Sequence, residues 1–252
     1  MTQFRPSRFQ ILPTIVKNLL IINGLVFLAQ YSLASKVTIS LEDSFALHTW
    51  QSPLFKPWQF ITHMFMHGNF QHLLSNMFAL WMFGSMLENV WGAKKFLFFY
   101  LICGLGAALC HMTVLYVETE HMIKAYNALT SARVSDFEIQ NFLVKYPRTL
   151  GDNSLQEVFN SHLNEATVGA SGAVFGCLAA FAYLFPNTEI YVYFLLPIKA
   201  KWFVLLYAAF ELVAGISNSA GDNVAHFAHL GGALVGFILV FFWNKTNRKT
   251  FY

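Results

Sequence analysis

The sequence predicts an all-α membrane protein: six transmembrane helices in a single domain over residues 1–252, with a small helical extramembrane insertion between the third and fourth spans. Three observations carry that prediction. Of the 252 residues, 56% are hydrophobic and 12% charged, about half the charge of an ordinary soluble domain. Residues 96–117 and 224–243 contain no Asp, Glu, Lys or Arg, and each supplies the roughly 20 apolar residues that one bilayer crossing needs. Residues 118–166, by contrast, hold seven acidic and four basic residues, a density that a span does not tolerate.

The first span is residues 11–31, with Lys17 near its start placed to snorkel to the interface. No small-residue cleavage site follows it, so it reads as a retained helix and not as a cleaved signal. Residues 32–71 contain "HTWQSPLFKPWQFITHMFMHGNFQ", too broken to span, with aromatic residues suited to the headgroup level of the outer leaflet. The second and third spans are residues 72–87 and 96–117. In the insertion at 118–166, Ser135 with Glu138 and Ser154 with Glu157 have capping-box spacing, each ahead of apolar residues at helical intervals. The remaining spans are 168–185, 200–216 and 224–243. No internal repeat or linker marks a second domain. Cys103, Cys110 and Cys177 all fall inside spans and read as small core hydrophobes.

Six spans put both termini on one side. Arg5, Arg8, Lys17, Lys94, Lys95, Lys199, Lys201, Lys245, Arg248 and Lys249 share that side, against Lys36, Lys56, Lys124, Arg133, Lys145 and Arg148 on the other. The basic bias predicts that both termini are cytoplasmic. The net charge of +3 belongs largely to these flanks and gives no support to nucleic-acid binding.

With that topology, polar residues that are costly in lipid gather at one depth. His72 and Asn76 fall near the outer end of the second span, Ser171 near that of the fourth, and His226 and His229 near that of the sixth. Nucleophilic acyl transfer needs such a set. A serine hydroxyl becomes a useful nucleophile when a neutral imidazole takes its proton, and Ser171 and His229 supply the pair. The tetrahedral intermediate needs donors for its oxyanion, which His72 and Asn76, at i and i+4, and the backbone N–H of Ser171 can provide. Gly172 and Gly176 on the fourth span, and Gly232 and Gly236 on the sixth, form small-xxx-small faces that let helices approach closely in lipid. This chemistry calls for no cofactor and no metal. His63 and His67, also at i and i+4, lack a companion carboxylate and read as structural hydrogen-bonders. Glu211, inside the fifth span, has no role assignable from sequence.

At these positions the chain resembles the rhomboid family of intramembrane serine proteases. "HGNFQHLLSN" is similar to its oxyanion motif through His72 and Asn76, "GASG" to its nucleophile motif through Ser171, and "AHLGGALVG" to its base motif through His229 and the glycines after it. The resemblance implies a six-helix bundle in which a Ser-His dyad without an acid partner cuts transmembrane protein substrates near their outer ends. No Asp or Glu adjoins either position within the same spans. It also implies that Phe175 packs under the catalytic histidine. Because Gly232 and Gly236 form a close-contact stripe that leads up to His229, while His226 lies a turn nearer the outer water, His229 and not His226 is expected to be the base, and the resemblance agrees. The partners implied are transmembrane substrates and membrane lipids, and the location expected is the inner (cell) membrane of a bacterium. The chain departs from the family in carrying Trp58-Gln59 where the family has Trp-Arg, and in the long insertion. Two alternatives stand beside this reading. A rhomboid-like protein that binds membrane clients without cutting them would ordinarily lack the serine or the histidine. A transporter would place its polar groups at mid-membrane.

Overall fold

The computed structural model describes residues 9–33, 40–131, 135–146, 154–192, 195–217 and 224–247. Along the chain run α1 (Thr14–Leu33), α2 (Leu41–Phe45) and α3 (Gln59–Thr62), the last continuing as a 3-10 turn His63–Phe65. Next come α4 (Phe70–Ala79) and α5 (Ser85–Trp91), joined by a π turn Leu80–Gly84, and then α6 (Ala93–Ser131), α7 (Asp136–Lys145), α8 (Leu155–Leu163) and α9 (Ser171–Leu184). A hairpin of β1 (Glu189–Val192) and β2 (Leu196–Lys199) precedes α10 (Ala200–Ser217) and α11 (His226–Asn247). By length and composition α1, α6, α10 and α11 are each able to cross a membrane. The run 70–91 is divided by its π turn, and α9 has fourteen residues, about 21 Å at 1.5 Å per residue. Basic residues counted in the sidedness argument, Arg5, Arg8, Lys36, Arg133, Arg148, Arg248 and Lys249, lie outside the described residues.

The short α9 is enclosed by protein: ten of its fourteen residues are buried, and it packs between α6 and α11. Glycine makes that enclosure possible. A Cβ on Gly232 would overlap the carbonyl oxygen of Gly172, and one on Gly236 would come within 2.6 Å of that of Gly176. The two glycine faces read from the sequence therefore meet backbone to backbone. On its other side α9 meets α6, where a Cβ on Gly176 would lie 2.6 Å from Cys103. Cys103 and Cys177 are buried free thiols in this core, and Cys110 is a half-buried one.

Glu88 of α5 ties down the start of α1. Its carboxylate accepts from the N–H groups of Ile15 (2.9 Å) and Val16 (2.8 Å) while only 4% exposed. These are first-turn donors without intrahelical partners, at the positive end of the helix dipole. Glu88→Ala is expected to leave both donors without their acceptor, that of Val16 fully buried, and to lower stability by about 2–3 kcal/mol, read as an earlier thermal unfolding transition in detergent. A transition unchanged from wild type would show that this cap contributes nothing.

The segment after residue 117 opens on a continuation of α6. No Gly or Pro occurs between Ala107 and Tyr146, and an i,i+4 Lys124–Glu120 ion pair at 3.1 Å adds support, so α6 continues past residue 117 to Ser131. Both capping boxes form, Ser135 with Glu138 opening α7 and Ser154 with Glu157 opening α8. The two helices cover the extension of α6 with a small core of Met122, Phe142 and Val158, and Tyr126 stacks on Phe159 at 4.1 Å.

The segment before α4 is anchored by Gln59, which has no exposed surface. Its Oε1 accepts from the N–H groups of Lys56 and His48, and its Nε2 donates to the carbonyls of Leu54 and Asp43. A neutral amide thus organises the loop, at the position where the resemblance leads to an arginine being expected. The β1–β2 hairpin, antiparallel with Glu189 opposite Lys199, departs from the all-α expectation. Four-residue strands are too short for a two-residue alternation to stand out in an apolar sequence.

Candidate active site

Ser171 is the first residue of α9, after Gly169 and Ala170. Gly169 has φ +131°, and its N–H donates to the carbonyl of His63 at 2.9 Å. That conformation is one L side chains rarely adopt, and a Cβ here would also lie 2.8 Å from Nε2 of His72. The turn therefore presents the hydroxyl at a helix start, where N–H groups have no intrahelical partner. Close α9–α11 contact then brings Ser171 Oγ to 2.9 Å from His229 Nε2. Phe175, one turn along α9, lies flat against the His229 ring, centroids 4.2 Å apart and planes 4° from parallel. Tyr207 of α10 backs Phe175 at 4.9 Å.

The other sequence-selected residues take distinct places. The His72 ring lies beside Gly169, whose built Cβ would also be 3.5 Å from Ser171 Oγ, and edge-on to His67 at 5.2 Å. Its backbone N–H donates to the N-cap Asn69. Asn76 is buried, with Nδ2 donating to the carbonyl of His72 at 3.0 Å; its second N–H is a further donor. A cavity of about 20 Å³ lined in part by Ser171, Thr167 and His63 adjoins the hydroxyl, room for roughly one water. His63 does bond structurally, through Nδ1 to the carbonyl of Gln59 at 2.7 Å, whereas both ring nitrogens of buried His67 are unpartnered. Burial lowers the pKa of each imidazole to about 4, so both are neutral at physiological pH.

Two expectations need correction. The base was expected to lack an acid partner, yet Glu211 Oε2 of α10 stands 2.9 Å from His229 Nδ1. His226 was expected to face outer water, yet it is 8% exposed and its Nδ1 lies 2.7 Å from the same oxygen. Glu211 is separated from His229 by eighteen residues and sits on another helix, so spacing along the chain could not pair them. The available signal was a lone carboxylate inside a span. Glu211, His226 and His229 offer ligand atoms within 4.8 Å of one another. Their oxygen–nitrogen separations of 2.7 and 2.9 Å are nevertheless hydrogen-bond lengths, below the roughly 3.3 Å between two ligands of a tetrahedral zinc.

A family model for the rhomboid domain matches residues 54–124 and 139–245, well over half of the chain. An uncharacterized mitochondrial rhomboid protein of Schizosaccharomyces pombe is 28% identical, over 90% of this chain and 64% of its own length. Rhomboid-like protein 11 of Arabidopsis thaliana, chloroplastic, is 31% identical over 76% of this chain and 54% of its own. Rhomboid protease AarA of Providencia stuartii is 27% identical over 72% and 54%. The chain thus spans between about half and two thirds of the length of these relatives. The matched segments contain the Ser171–His229 contact, His72 and Asn76, and with its long apolar helices the chain is a membrane protein of the rhomboid family, which includes serine intramembrane proteases.

Proposed function

We propose that this chain is an intramembrane serine endopeptidase that cleaves transmembrane protein substrates near the outer face, through Ser171 as nucleophile and His229 as base. The observation that carries the reading is the 2.9 Å contact between Ser171 Oγ and His229 Nε2. Nε2 takes the hydroxyl proton as Oγ bonds to the scissile carbonyl carbon, and the carbonyl electron pair moves onto its oxygen. Asn76, His72 and the Ser171 N–H are the donors proposed for that oxyanion. When the intermediate collapses the C–N bond breaks and the departing nitrogen takes the proton from Nε2. A water, deprotonated by the same nitrogen, then hydrolyses the acyl-enzyme and restores Ser171. The stacked Phe175 ring limits imidazole rotation between these proton transfers.

Six spans complete the proposal, α9 and the run 70–91 crossing within the bundle, with both termini cytoplasmic. The relatives' names include a mitochondrion and a chloroplast besides the Providencia protein, so a bacterial inner membrane is one of several homes compatible with the reading. The test is purified protein with a model transmembrane substrate. Wild type should cleave it, and Ser171→Ala should bind it without cleaving. Cleavage by Ser171→Ala near the wild-type rate would refute the enzyme, and binding without cleavage by wild type would favour a client-binding protein.

Asn76→Ala should leave a slower enzyme. Losing one oxyanion donor costs about 3–4 kcal/mol of transition-state stabilisation, less where His72 and the backbone compensate, and the loss should fall on kcat more than on KM. An unchanged kcat would remove Asn76 from the site.

A further inference from the structure

We propose that Glu211 is the positioning carboxylate of this site, extending the Ser171–His229 pair to a Ser-His-Glu array; the inference rests on the proposed proteolytic reading. Three elements converge on the argument: Ser171 on α9, His229 on α11 and Glu211 on α10. Oε2 of Glu211 lies 2.9 Å from His229 Nδ1, and His229 Nε2 lies 2.9 Å from Ser171 Oγ. An ionised carboxylate only accepts hydrogen bonds, and a neutral imidazole carries one N–H. A bond to Glu211 therefore places the proton on Nδ1 and leaves the Nε2 lone pair facing the hydroxyl, the tautomer that general-base catalysis requires. Along the reaction the Ser171 proton moves to Nε2. The imidazolium then formed has a counter-charge at its other nitrogen.

Glu211 is 2% exposed. A buried carboxylate without partners is costly, and here the two Nδ1 donors of His229 and His226 supply them. His226 thus helps to hold the carboxylate rather than competing for the serine. The other polar rings disposed around His229 are His72 of α4, His111 of α6 and Tyr207 of α10, which meets Phe175 at a tilt. None of these is an acid able to replace Glu211. A purely structural role for Glu211 is the competing explanation, because the buried residues of α10 are Ala200 and Glu211, and the same bonds pin α10 to α11. The experiment must move a readout that pinning does not.

kcat and KM are compared for wild type, Glu211→Gln and Glu211→Asp on a transmembrane substrate, with chelator present throughout and Ser171→Ala as the blank. Gln can donate to Nδ1 and favour the wrong tautomer, so kcat should fall about 10²–10⁴-fold with KM little changed. Asp, which keeps the carboxylate, should restore part of kcat. A kcat of Glu211→Gln within about twofold of wild type, or an Asp variant no better than Gln, would overturn the role, whereas absence of Ser171-dependent cleavage in wild type itself would overturn the proteolytic reading instead. Should Glu211→Gln not fold, nitrogen-15 NMR of histidine-labelled wild type decides. A neutral His229 protonated at Nδ1 is expected at neutral pH, and the Nε2-protonated form would refute the proposal whether or not cleavage is seen.

Discussion

His229→Ala is expected to abolish cleavage and to prevent a fluorophosphonate from labelling Ser171, while His226→Ala keeps substantial amounts of both. The two side chains sit one turn apart on α11 and both reach Glu211 through Nδ1. The difference lies at the other nitrogen, since His229 Nε2 is the one that meets Ser171 Oγ, at 2.9 Å. Removing His229 leaves a hydroxyl without a base, and in a well-studied serine protease either half of such a pair is worth about 10⁶ in kcat. Removing His226 takes one donor from Glu211 and leaves His229 in place between Phe175 and the carboxylate. The measurement is a paired assay of cleavage rate and probe incorporation on folded, monodisperse variants. Reversed results would transfer the base to His226.

Gly232→Val is expected to lower activity by about 10²-fold or more without touching a reacting atom. A Cβ at Gly232 would overlap the backbone carbonyl of Gly172, and a backbone atom cannot swing aside as a flexible side chain can. α11 and α9 must therefore separate, and Ser171 begins the very helix that is displaced. Misplacement of a reacting group by about 1 Å can cost on the order of 10²-fold in rate, so a loss of at least that size is expected, with an earlier unfolding transition. Gly24→Ala on α1 is the matched control, because a Cβ there meets nothing within 4 Å. Equal activity of the two variants would refute the backbone-contact account.

Much of this site was legible because its parts carry local signatures. A hydroxyl between glycines with one glycine face after it, and a histidine with another glycine face after it, are each visible within about ten residues, and the fold brings the two clusters together across 58 positions. The capping boxes at Ser135 and Ser154 were legible for the same reason, each being a contact over three residues. What stayed hidden depends on long-range placement. Glu211 meets His229 only because α10 and α11 pack side by side. Glu88 meets Ile15 and Val16 across more than seventy residues. Gln59 looked like a missing arginine until its four hydrogen bonds gave it the anchoring role. The reach of α6 to Ser131 was not legible from charge, which marks where a segment leaves lipid, whereas helices end at breakers, and none occurs there.

The central claim is that Ser171 is an activated nucleophile. Its most direct test is exposure of the purified wild-type protein, in detergent or lipid, to a fluorophosphonate at neutral pH, followed by peptide mapping by mass spectrometry. One adduct is predicted, on the peptide that contains Ser171, formed in wild type and absent from His229→Ala. A folded wild-type protein that takes up no probe, or that carries the adduct on another residue, would contradict the account.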